Sequence, residues 1–66
     1  PGDPLLALET ARRAAGLVSR PGYLDEAVDR YEAVLRADPL GPHRGEVADF
    51  FEVIGRNRRA SEIRGS

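Results

Sequence analysis

Apolar residues recur along this chain at helical intervals, and nowhere do they alternate as in a strand. Leu5, Leu8, Ala11, Ala15 and Val18 keep three- and four-residue steps and predict one face of a first helix. Asp3 before Pro4 offers an N-cap followed by a proline at the first helical position, where no N–H is required. Arg20-Pro21-Gly22 ends that helix. Leu24, Ala27, Val28, Tyr31, Val34 and Leu35 make a second stripe over Tyr23 to Ala37. Asp25 and Glu26 suit the positive end of its dipole, and Asp38-Pro39 stops it. Val47, Phe50, Phe51 and Ile54 predict a third helix from Pro42 to Ile54, capped by Gly55. Ala60 and Ile63 place a short or frayed fourth between Arg58 and Arg64. The expected fold class is all-α: antiparallel helical hairpins in one small domain spanning 1–66.

The polar positions fit the same reading. Glu9/Arg13, Glu26/Arg30, Glu32/Arg36 and Glu52/Arg56 are each spaced i,i+4 with the acid first. That is the better orientation on a solvated helix, contributing about 0.2–0.5 kcal/mol per pair.

Sliding the chain by 33 residues places Ala15 over Ala48, Val18 over Phe51, Gly22 over Gly55 and Ala27 over Ala60. Small residues at these places have a physical use. Helices cross closely only where side chains are small, and glycine permits a tight turn between them. On these residues the chain resembles the tetratricopeptide repeat family, whose unit is a helical hairpin of about 34 residues. Ala15, Gly22, Ala27, Tyr31 and Pro39 stand in the order and spacing of that pattern. Residues 4–39 are similar to one complete repeat, and 42–66 to a partial or degenerate second. Ala11 falls where the family has a bulky aromatic, and Arg64 falls where the second copy would repeat Tyr31.

The resemblance implies a peptide-binding groove lined by the first helix of each pair. It would place Glu9, Arg12, Gly16, Arg20, Asp49, Glu52 and Val53 on that groove. Repeat proteins need about three units to bury a continuous core, and this chain has fewer. Apolar surface is therefore expected to stay open, around Phe50, Phe51 and Ile54 or along Leu5, Leu6 and Leu8. A protein or peptide partner, or a second copy in a homodimer, would cover it.

Length and composition narrow the classes further. A chain of 66 residues buries only about 60% of its unfolded surface, so its stability is marginal. It has no cysteine, which excludes disulfides and thiolate metal sites and fits a cytoplasmic location. No apolar run approaches the roughly 18 residues of a membrane span, and no signal peptide is visible. The ends, Pro1-Gly2 and Gly65-Ser66, read either as natural termini or as remnants of cloning.

Net charge is −1, which speaks against a generally basic nucleic-acid binder. The charge is uneven: residues 3–52 hold ten acids and six arginines, and 53–66 hold four arginines and one acid. Arg56, Arg58 and Arg59 could meet phosphates, but only His43 is near for base stacking, so nucleic acid is not the expected partner. Asp25, Glu26 and Asp29 share one side of the second helix and suit either hydration or an arginine-bearing partner.

His43 is the single histidine, so no metal-ligand set forms, and no cofactor motif is present. None of the serines has a base beside it, and the chain reads as non-enzymatic. Arg58-Arg59-Ala60-Ser61 resembles a basophilic kinase site, with Ser61 as acceptor. Ala48-Asp49-Phe50 followed by paired arginines is similar to the inhibitor peptides of cyclic-AMP-dependent kinase, so 48–63 could act as a substrate or pseudosubstrate-like segment. The expected function is a protein–protein interaction module that presents a helical groove or apolar face to a peptide or helix. The alternative is a helical dimerisation or docking domain excised from a larger enzyme or regulator.

Overall fold

Asp3 opens the first helix as its sequence predicts. Its Oδ1 accepts a 3.0 Å hydrogen bond from the Leu5 N–H, and Pro4 takes the first helical position. The computed structural model of the chain describes residues 3–65; Pro1, Gly2 and Ser66, with the question of their origin, lie outside the described residues. These contain four helices: α1 (Pro4–Ala15), α2 (Tyr23–Ala37), α3 (Arg44–Val53) and α4 (Asn57–Gly65).

Two boundaries move from the sequence expectation. α1 stops at Ala15 and not at Arg20: Leu17 N–H donates to Ala14, Val18 to Ala15 and Arg20 to Leu17. These three-residue turns wind the chain more tightly than an α-helix. α3 starts at Arg44, after His43, and not at Pro42. The fourth helix is fully wound over nine residues.

One pair of the 33-residue alignment shares a backbone conformation. Gly22 and Gly55, 33 positions apart, both adopt left-handed conformations, with φ of 85° and 86°. After α3 the chain closes a Schellman motif. Gly55 N–H donates to Glu52 at 3.0 Å and Arg56 N–H to Phe51 at 2.8 Å, satisfying two carbonyls at the helix end.

The core draws on all four helices. Leu8, Ala11 and Ala14 come from α1, Ala27, Tyr31 and Val34 from α2, Val47, Ala48, Phe50 and Phe51 from α3, and Ala60 and Ile63 from α4. The paired alanines Ala27 and Ala60 are both inside, as close helix crossing requires. Helices pack in chain order, α1 on α2, α2 on α3 and α3 on α4. The result is a thin slab with Cα extents of 31 × 27 × 13 Å.

Three expectations about the apolar face are corrected. Phe50 and Phe51 do not form an open face but are buried. Tyr31 stacks on Phe50, and Phe51 meets Phe50 edge-on with centroids 5.5 Å apart. Leu8, expected along an open edge, is fully enclosed, whereas Leu5 and Leu6, expected open with it, are 51% and 61% exposed. Alanines account for the difference. Ala11, Ala14, Ala27, Ala48 and Ala60 let the helices approach closely enough that a few large side chains complete the core.

The arginines also choose other partners. The four i,i+4 pairs are not among the ion pairs of the described residues. Instead Arg12 of α1 forks onto Glu46 of α3, Arg59 of α4 onto Glu32 of α2, and Arg64 of α4 reaches Asp49 and Glu52 of α3. Planar guanidinium forks favour such bidentate contacts, and each one here joins two helices.

Candidate functional site

The residues expected to line a groove lie on α1, the turn after it, and α3, and the helices have already engaged several of them. Arg12 donates through Nε and Nη2 to Glu46 at 2.7 and 2.6 Å. This contact holds the Glu46 carboxyl below its usual range and raises the guanidinium. Asp49 and Glu52 are held by Arg64, with Nε to Glu52 at 2.9 Å. Gly16 caps α1, and its N–H donates to the Arg12 carbonyl. Glu9 and Arg20 are exposed, and Val53 is 84% exposed at the end of α3. Phe50 and Phe51, also expected to touch a partner, face inward.

Arg64 stands 33 positions after Tyr31, where a repeat would carry the aromatic that packs on a following helix. Tyr31 does pack forward, onto Phe50 of α3. Arg64 turns back onto α3. Arg64 thereby places a charged head on the exposed side of α4.

A second surface, not anticipated as a groove, lies between α1 and α2. The N-cap Asp3 and Leu6, Ala7 and Thr10 of α1 line it with Arg30 and Ala33 of α2. Leu6 is 61% exposed at its rim. An adjoining depression shares Arg30 and Ala33 and continues to Glu26, Asp29 and Arg36. This surface lies on the flank of α2 turned away from the second hairpin. Residues two apart on an α-helix point about 200° apart, so Arg30 and Ala33 oppose Glu32 and Leu35, which meet α4. The sequence signal was Leu6 itself, a large apolar residue one step off the α1 stripe.

Elsewhere, Ser61 is exposed but sits inside α4, with the preceding Arg59 bound to Glu32 and Glu62. The 48–63 segment is packed helix and turn. Among the described residues no group of His, Asp and Glu could hold a metal ion, and no buried side-chain polar atom lacks a hydrogen bond. No helix among them is long and apolar enough to cross a membrane. Compared with known proteins, the chain matches no family model, no curated protein and no solved structure.

Proposed function

We propose that the chain is a non-enzymatic helical interaction module, similar to a tetratricopeptide hairpin pair, that binds a helix or peptide of another protein. One observation carries this reading. The four helices complete their own core, yet Leu5 and Leu6 remain more than half exposed, and Leu6 lines a groove between α1 and α2. Apolar surface that a fold does not need for itself is characteristic of a binding face. The 33-residue register, with two left-handed glycines and two enclosed alanines at matching positions, supports the repeat-like description.

The test is a titration of isotope-labelled chain with amphipathic helical peptides of acidic, neutral and basic polar faces. At least one peptide is expected to shift a contiguous set of backbone amides. If none does, at millimolar peptide, the reading fails. Light scattering decides the alternative: a mass that doubles with concentration would make the module a dimerisation domain.

A further inference from the structure

Ser61 is exposed at the middle of α4, one helical turn after Arg58 and one turn before Arg64. Residues three apart on an α-helix are surface neighbours, with about 5–6 Å between Cβ atoms. Two guanidinium side chains therefore flank the Ser61 hydroxyl on the exposed side of the helix. They differ in what they hold. Arg58 is exposed and makes no ion pair among the described residues. Arg64 reaches to α3, donating to Glu52 at 2.9 Å and also to Asp49.

We propose that Ser61 is a phosphorylation site of an arginine-directed serine kinase, and that the folded chain receives the phosphate between Arg58 and Arg64. In the transfer, Ser61 Oγ attacks the γ-phosphorus of ATP, the bond from that phosphorus to the ADP oxygen breaks, and the hydroxyl proton passes to the kinase's catalytic base. Arg58 and Arg59 precede the acceptor by three and two positions, and carboxylates beside the kinase's cleft pair with them. Such a cleft takes an extended chain, so α4 has to open first. Its nine residues fall short of the ~12–15 that sustain an isolated helix, and of its described residues only Ala60 and Ile63 are buried. Opening α4 alone therefore costs less than unfolding the chain, and it releases Arg59 from Glu32.

When α4 closes again, Ser61 carries about −1.5 to −2 charge and three strong acceptor oxygens. Arg58 meets the phosphate without giving up an ion pair. Arg64 has to leave Asp49 and Glu52 for it. Those two carboxylates stand on another helix, whereas the phosphate gathers comparable charge into one group a single turn away. The acids facing the new group are Glu62 on α4 and Asp49 and Glu52 on α3, the helix on which α4 packs. Glu62 already faces Arg59. The modification exchanges a tie between α3 and α4 for ties within α4.

The test starts with the intact chain, ATP and the catalytic subunit of cyclic-AMP-dependent kinase, with the phosphate located by mass spectrometry. Ser61 is expected to take one phosphate. Arg58→Ala, an exposed change that spares the fold, should slow the transfer at least about tenfold, the cost of one charged hydrogen bond. Phosphorus NMR then follows the phosphoserine from about pH 4 to 8. Flanking guanidiniums stabilise the dianion, so its second pKa should lie at least about 0.5 below the ordinary value near 6. Arg64→Gln keeps both arginines that the kinase reads, and should raise that pKa again, as should urea. No phosphate on Ser61, or a transfer rate indifferent to Arg58→Ala, overturns the modification site. A second pKa at or above the ordinary value, or one that Arg64→Gln leaves unchanged, overturns the receiving site between the two arginines.

Discussion

The Tyr31 ring lies on the Phe50 ring with centroids 4.2 Å apart and planes 14° from parallel, and this stack ties the first hairpin to the second. A domain of this size has a total stability of about 3–10 kcal/mol. Truncating a buried phenylalanine removes about 3–5 kcal/mol. Phe50→Ala is therefore expected to leave the chain largely unfolded at room temperature, whereas Tyr31→Phe keeps the stack and the fold. Urea denaturation followed by circular dichroism checks both; a cooperative Phe50→Ala melt near the parent midpoint would refute the stack's importance.

Three glycines should respond in opposite directions. A Cβ at Gly22, Gly45 or Gly55 meets no atom within 4 Å, so backbone conformation alone decides the outcome. Gly22→Ala and Gly55→Ala each force a left-handed alanine and should destabilise by about 1–2 kcal/mol. Gly45→Ala lies in α3 with an ordinary helical φ and should stabilise by about 0.5–1 kcal/mol. Shifts in the urea midpoint at constant slope would show this.

Stability should fall at both ends of the pH scale for reasons that separate by mutation. The Arg12 contact lowers the Glu46 pKa in the folded state. Its contribution is present above the ordinary carboxylate range and is lost as pH falls through the lowered value. Burial raises the Tyr31 pKa, with Glu46 adding to the shift and Arg12 opposing it. That contribution is present below the ordinary tyrosine value of about 10 and is lost as pH rises through the raised one. Glu46→Gln should flatten part of the acid limb, and Tyr31→Phe part of the alkaline limb. Melting temperatures measured from pH 3 to 11 give the comparison, and an unchanged alkaline limb in Tyr31→Phe would contradict the assignment.

Arg64 keeps a charged group on the exposed side of α4. Arg64→Tyr removes the guanidinium that holds Asp49 and Glu52 and leaves an apolar ring exposed on α4. The variant is expected to self-associate with rising concentration in sedimentation or light scattering, while Arg64→Lys remains like the parent.

The features legible in the sequence were those fixed by neighbours in the chain. Asp3-Pro4, Asp38-Pro39, Gly22 and Gly55 mark their boundaries through local backbone chemistry, and Ala27 and Ala60 show their burial through register. What escaped depends on residues far apart. Arg12 finds Glu46 thirty-four positions away. No i,i+4 rule can anticipate that, and the same holds for Arg59 with Glu32. Phe50 and Phe51 were expected to be open because repeat units were counted; alanine-lined crossings close a core with fewer units. Leu6 was legible as open apolar surface, but the groove beside it was not: two helices build it, and the face that stays uncovered depends on which side the second hairpin occupies.

Close backbone packing in chain order also bears on how the molecule reaches its native state. Among the described residues, Cα atoms of α1 come within 8 Å of α2 but not of α3 or α4. No distant segment must find another before structure accumulates, and a topology so dominated by local contacts folds in about microseconds to milliseconds. The α1–α2 and α3–α4 hairpins can each close locally before α2 meets α3 across residues 38–43. Chain-relaxation rates should therefore respond most to changes at Tyr31 and Phe50, where two separately formed halves first become one.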